Sequence, residues 1–283
     1  MGGGLGHLTR AYAFLHDFGL LENATILTTS RFAKDKRVVG NVDLIEVTEE
    51  IASNENAYKN FLRQQFQDNT IETIYIDSFP FGIRCEFLNF DFGETKINYI
   101  ARLLDWNRYS GAVRFEKTPS FETCFILEDL ETAHREFISR NTNNVQNLSL
   151  NYPLPALSNE TMIAVEEIEH KNPFWLIVHS GDQSELSELV DFADEQRIIE
   201  NQNVELIIIT PIDYRAAVSN CLVFDVYPAS VLFPLAARIF TGCGFNVMNQ
   251  TKDVRNKHQF IPFSRRYDNQ YRRAGLIRNS QPG

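Results

Sequence analysis

The chain has 283 residues, 43% hydrophobic and 23% charged, the balance of a globular protein long enough for two domains. Its formal net charge of -10 argues against nucleic-acid binding through bulk charge. No run of about eighteen apolar residues is present, so no transmembrane helix is expected, which leaves room only for peripheral membrane contact. The scattered Cys85, Cys124, Cys221 and Cys243 lack CxxC spacing, so neither a zinc knuckle nor a redox pair is signalled and a cytoplasmic location is expected.

The chain opens on a glycine-rich turn, Gly2-Gly3-Gly4-Leu5-Gly6-His7. Leu5, Leu8, Tyr12 and Leu15 then recur at helical spacing, with Gly19 as the C-cap. A helix beginning there presents free N–H groups and the positive end of its dipole to an anion. Such a turn ordinarily follows a β-strand, yet Met1 directly precedes it, so the first strand of the sheet is expected to be missing. Strands are predicted at 24–29, 43–47 and 72–76, the last ending at Asp77-Ser78-Phe79-Pro80-Phe81-Gly82, and a helix at 56–68. Residues 94–105 read as helix, 124–127 and 145–150 as strands, and Asn151-Tyr152-Pro153-Leu154-Pro155 as a stiff linker. The boundary placed there divides the chain into 1–152 and 156–283.

The alternation restarts with a strand at 174–178, ending at His179-Ser180-Gly181-Asp182, and a helix over 184–200. Strands follow at 204–209 and 222–226, a helix at 229–237, and a short strand at 238–240. That strand runs into a second glycine turn, Thr241-Gly242-Cys243-Gly244-Phe245-Asn246, which opens another helix. A strand at 258–261 and a helix from Asp268 to Ala274 close the pattern. Alternating strands and helices predict an α/β fold with parallel sheets, ligands lying beyond the carboxyl ends of the strands. The two glycine turns are expected to face each other across a cleft.

Gly2, Gly4 and Gly6 fit GxGxG rather than GxGxxG, and no Walker lysine follows. A dinucleotide oxidoreductase or a P-loop nucleotidase is therefore disfavoured. His7, beside the first turn, is the candidate general base for a hydroxyl nucleophile. Asp77 could orient His7, bind a sugar hydroxyl, or cap the turn before Pro80. His179 is a weaker candidate on a loop. His16, His134, His170 and His258 have no partner at metal-binding spacing, and no metal is expected. Asp268 and Gln270 could reach hydroxyl groups, or Asp268 could simply cap the last helix. Arg265 and Arg266 could meet phosphate or lie solvated.

At these residues the sequence resembles glycosyltransferases of the GT-B architecture, most of all family 28, which includes the N-acetylglucosaminyltransferase of peptidoglycan synthesis. Gly2-Gly3-Gly4-Leu5-Gly6-His7 is similar to that family's N-terminal glycine turn, and Asp77–Gly82 to the DxFPxG segment of related sugar transferases. Gly242-Cys243-Gly244-Phe245-Asn246, with Ile261-Pro262-Phe263 and Asp268-Asn269-Gln270, is similar to the donor-binding half. The resemblance implies two Rossmann-like domains facing across a cleft and transfer of a sugar from a nucleoside-diphosphate donor, a UDP-sugar for instance, without metal or other cofactor. It places His7 at the reacting centre with Asp77, and Gly3, Gly4 and Gly6 on the acceptor side. It assigns Ser180, Gly181, Gly242, Gly244, Phe245, Asn246, Gln250, Asp268 and Gln270 to the donor. Gln250 stands where the family carries a glutamate for the donor ribose, and the 252–257 segment is unusually charged. A non-catalytic relative that binds a nucleotide sugar, or a nucleotide-sugar epimerase, are the alternative readings.

Overall fold

The computed structural model describes residues 4–111, 118–171 and 173–280. The first half contains α1 (Leu5–Asp17), β1 (Thr25–Thr28), α2 (Lys36–Val39), β2 (Asp43–Glu46), α3 (Glu49–Ser53) and α4 (Glu55–Asp68). It continues with β3 (Thr73–Asp77), β4 (Lys96–Ala101), α5 (Trp106–Gly111), β5 (Phe121–Ile126), α6 (Thr132–Asn141) and β6 (Thr142–Asn147). The second half contains α7 (Asn159–Glu169), β7 (Phe174–Val178), α8 (Gln183–Ile199), β8 (Glu205–Ile209), β9 (Cys221–Phe224) and β10 (Arg238–Gly242). It ends with α9 (Phe245–Gln250), β11 (His258–Ile261) and α10 (Gln270–Ser280). The predicted helix at 229–237 is only a 3-10 turn over Ala229–Leu232.

Among the described residues the strands form three wholly parallel sheets, β1-β2, β3-β4-β5-β6 and β11-β10-β7-β8-β9. The protein is thus α/β, as the alternation of strands and helices predicts. The five-stranded sheet has doubly wound order, and its strand order reverses at the β7–β10 pair. The loops that leave those two strands flank the crevice where such sheets take ligands. Alternation along the strands explains the layering. Trp175, Ile177, Leu206, Ile208 and Phe240 pack against Leu186, Leu189 and Val190 of α8. Their neighbours Phe174, Leu176, Ile207, Ile209 and Ile239 face the other way, toward Ile168, Leu232 and Phe233.

In the first half, β1 and β3 each pair along one edge among the described residues, so the two-stranded and four-stranded sheets stay separate. Helix α1 packs on both of them. Leu8 meets Ile26 and Leu44, while Phe14 meets Tyr75, Ile100 and Phe125. The 94–105 segment corrects the sequence reading, because residues 96–101 are the strand β4 rather than part of a helix. Ile97, Ile100, Ala101 and Leu104 fall at helical spacing, but β4 lies between β3 and β5 and is buried from Asn98 to Ala101. A strand covered on both faces loses its period-2 signature, and chance spacing then imitates a helix.

Candidate active site

His7 sits in the first turn of α1, and Asp77 ends β3. The packing of Phe14 on β3 and β4 sets the helix across the strand ends. His7 Nδ1 thereby lies 2.9 Å from Asp77 Oδ2. Arg10 Nη2, which can only donate, also lies 2.9 Å from Nδ1, but its two hydrogens go to Asp77 Oδ2 and Ser78 Oγ. The carboxylate can only accept, so Nδ1 carries the proton and Nε2 keeps its lone pair. Burial pushes the His7 pKa down to about 4, with the Arg10 charge adding to the fall and Asp77 opposing it. The imidazole is therefore neutral at pH 7.

Arg10 lies one turn beyond His7 on the same helix face, and only 3% of it is exposed. Its Nε donates to Asp77 Oδ1 at 2.8 Å and its Nη2 to Asp77 Oδ2 at 2.5 Å, a bidentate grip. Burial alone would raise the Asp77 pKa, but the Arg10 charge and the His7 and Arg10 hydrogen bonds hold it well below the usual carboxylate range. Ser78 completes the cluster. Its backbone is left-handed, at φ 67, and its hydroxyl oxygen accepts from Arg10 Nη2 at 3.0 Å and Arg102 Nε at 2.8 Å. With both lone pairs filled, the hydroxyl proton goes to Asp77 Oδ1, 3.2 Å away. A strained serine beside a buried ion pair is a common mark of a functional site.

The second glycine turn reaches the start of α1. Gly244 precedes α9 without a side-chain cap, as Gly4 does for α1. Asn246 Nδ2 donates to the Gly6 carbonyl at 2.7 Å, Tyr152 Oη donates to Asn246 Oδ1 at 3.1 Å, and the Arg10 guanidinium lies 5.6 Å from the Phe245 ring centre. Gly4, exposed ahead of α1, has open space where a Cβ would stand, and a Cβ on Gly244 would meet Val247 Cγ1 no closer than 4.0 Å. Gly3 lies outside the described residues.

The other predicted donor residues divide. Ser180 and Gly181 follow β7, and Gly242 ends β10, on either side of the crevice. Between them stands His179, its Nε2 3.1 Å from Glu185 Oε2; Glu185 in turn pairs with Arg265. Gly181 and Gly242 leave room for this group, since a Cβ would lie 2.8 Å from His179 Nε2 and 3.1 Å from the Phe263 ring respectively. Gln250 closes α9 and is half-buried. Gln270 is buried, and its Oε1 accepts from Phe263 N at 3.0 Å, fixing the loop after β11. Asp268 accepts from Arg102 Nη1 at 2.5 Å and Arg273 Nη2 at 2.8 Å. Arg273 also binds Glu128 and the Cys243 carbonyl.

Sequence reading therefore missed Arg10, Ser78, Arg102, Glu128 and Arg273. Arg10 had a signal in its spacing from His7, and Ser78 in its place after Asp77. Arg102, Glu128 and Arg273 are brought together only by the packing of β4, β5 and α10. Two surface hollows, of about 580 and 470 Å³, are lined by neither His7 nor Asp77. Among the described residues, no group of three or more His, Cys, Asp or Glu could hold a metal ion, and no helix is long and apolar enough to cross a membrane.

Fold and site define the class: an α/β protein of parallel sheets, with a histidine–carboxylate pair at strand and helix ends. No family model matches the chain, and no curated protein matches it. Among solved structures it is similar to one described as the glycotransferase of kitacinnamycin, with 10% sequence identity and a TM-score of 0.44, over 90% of this chain and 77% of that one.

Proposed function

We propose that the chain transfers a sugar from a nucleoside-diphosphate donor to a hydroxyl acceptor, with inversion at the sugar carbon. The observation that carries this reading is the His7–Asp77 pair, held where the start of α1 meets the second glycine turn. Residues 1–152 and 156–283 act as two Rossmann-like domains of the GT-B kind, the first taking the acceptor and the second the donor. His7 Nε2 accepts the proton of the acceptor hydroxyl, whose oxygen attacks the anomeric carbon. The bond from that carbon to the diphosphate breaks, and the diphosphate leaves with the electron pair. Main-chain N–H groups at Gly244–Asn246 stabilise the departing charge. Ser180, Gly181, Gly242, Phe245 and Gln250 line the donor side. Asp268 and Gln270 act there by holding the 262–269 loop, because their side chains are already engaged. Entry of the diphosphate requires the Asn246–Gly6 bond to open.

Gly244→Val tests the donor side. Gly244 has an ordinary φ of -67 and the nearest atom to an added Cβ is 4.0 Å away, so the fold tolerates a larger residue. A diphosphate lying against this backbone would not. Calorimetry with UDP and other nucleoside diphosphates is expected to show binding to the wild type and at least about a tenfold loss in the variant. Equal binding by both would remove the ligand from this turn. The second reading, binding without turnover, is favoured by Gln250 in place of a glutamate. It predicts the same calorimetry and no released product.

A further inference from the structure

We infer that Arg102 and Asp268 are positioning residues for His7, forming a latch through which the second half of the chain holds the base in one tautomer. The inference deepens the proposed reading of His7 as the base. The path is continuous in named groups. Asp268, just before α10, binds Arg102 just after β4 at 2.5 Å. Arg102 Nε binds Ser78 Oγ at 2.8 Å, and Ser78 Oγ donates to Asp77 Oδ1. Asp77 Oδ2 takes the proton-bearing Nδ1 of His7.

Each link leaves little freedom. The four acceptor positions of the Asp77 carboxylate are filled by Arg10 twice, Ser78 and His7. While Arg10 and Arg102 both occupy its lone pairs, the Ser78 hydroxyl rotor is fixed with its proton on Asp77. Arg102 is 6% exposed and bonds to the second half of the chain through the Asp268 side chain, whereas Arg10 meets that half at the face of the Phe245 ring. The charges balance, because Arg10, Arg102 and Arg273 face Asp77, Asp268 and Glu128. Removing the Asp268 charge leaves Arg102 with a buried surplus, and the nearest remaining carboxylate on the path is Asp77. Arg102 then competes with His7 for that carboxylate and frees the Ser78 hydroxyl. The far end of the path reaches the second glycine turn, because Arg273 binds Asp268 and donates to the Cys243 carbonyl at 2.8 Å. The same region is fastened by main chain, with Asp105 N donating to Tyr267 O at 2.8 Å and a bridge between Leu104 and Asp268. The latch therefore sits where the second half docks on the strand ends of the first.

Glu128 supplies the control. It binds Arg273, as Asp268 does, and accepts from Leu103 N at 2.9 Å, a bond that a glutamine oxygen can keep, but it is bonded to neither the Arg102 guanidinium nor Ser78. The test is the ring-nitrogen NMR signature of His7 in the full chain without ligand, comparing wild type with Asp268→Asn, Arg102→Lys and Glu128→Gln. The wild type is expected to show the Nδ1–H tautomer alone. Asp268→Asn and Arg102→Lys are expected to lose that single-tautomer signature, whereas Glu128→Gln keeps it. Arg102→Lys retains the charge but cannot span Ser78 and Asp268 with one fork, so it reports on the latch even where Asp268→Asn fails to fold. Wild-type His7 signals in a folded Asp268→Asn or in Arg102→Lys would overturn the inference, as would equal loss in Glu128→Gln. The readout needs no turnover, so an inactive protein with the predicted signatures would sink the transferase reading and leave the latch standing.

Discussion

In the proposed role of base, His7 has no proton to lose before it can act at neutral pH. With its pKa pushed down to about 4, the rate should be flat from pH 6 to 8 and fall only as the pH approaches 4. An acid limb near 6.5 in the pH profile of kcat/KM would instead describe an exposed, unpaired histidine. Asp77 carries two roles that can be separated. Asp77→Asn removes the partner of the buried Arg10 and should cost about 3–5 kcal/mol in urea unfolding. Replacing both partners, as Arg10→Met with Asp77→Leu, should recover much of that stability without restoring activity. Failure of the double variant to recover would mean that the ion pair is not the source of the loss.

At the scale of elements, the segment from Ser78 to Gly93 leaves the Asp77–Ser78 corner that holds His7 and packs on Leu104, Trp106, Tyr109 and Tyr267. Its chain turns left-handed at Ser78, Gly82, Cys85, Asn89 and Gly93. Gly82 has no alternative residue. Its φ is 81, and a Cβ would fall 2.0 Å from the carboxyl carbon of the buried Glu86. Gly82→Ala should therefore destabilise the protein by more than about 2 kcal/mol in a denaturant titration, the combined effect of left-handed strain and overpacking. A neutral result would show that Glu86 moves freely. The sequence already signalled this loop, because Asp77-Ser78 and Pro80 punctuate it, and it signalled the helix starts after Gly4 and Gly244. It did not signal β4. The burial of that strand on both sides erased the alternation that marks a strand, and its isoleucines happened to fall at helical spacing.

The whole molecule joins its halves through buried charge, and this was the part least legible in the chain. Arg102, Glu128 and Arg273 look like ordinary surface residues until α10 docks on the ends of β4 and β5. Spacing reveals i, i+3 partners such as His7 and Arg10, but not partners more than a hundred residues apart. Burial of histidines makes the fold acid-sensitive as a unit. His7 is pushed down to about 4, and His134 and His258 to about 3, all chiefly by burial. Unfolded, each titrates near 6.5, so the unfolded chain binds more protons between that pH and about 4. Stability is then fully present above pH 6.5 and falls as the pH drops toward 4, by up to about 1.4 kcal/mol per pH unit for each histidine. The urea midpoint should follow that slope, and His134→Gln should make it shallower by about a third. A midpoint constant from pH 7 to pH 4.5 would show that these rings are not held neutral.

The proposed chemistry stands most directly on one comparison: release of nucleoside diphosphate from a panel of nucleotide sugars, with hydroxyl acceptors or water, by the wild type and by His7→Ala. The expected result is release by the wild type with at least one donor, and a rate about 10²–10⁴-fold lower in the variant with donor binding intact. Equal rates in the two proteins would contradict it.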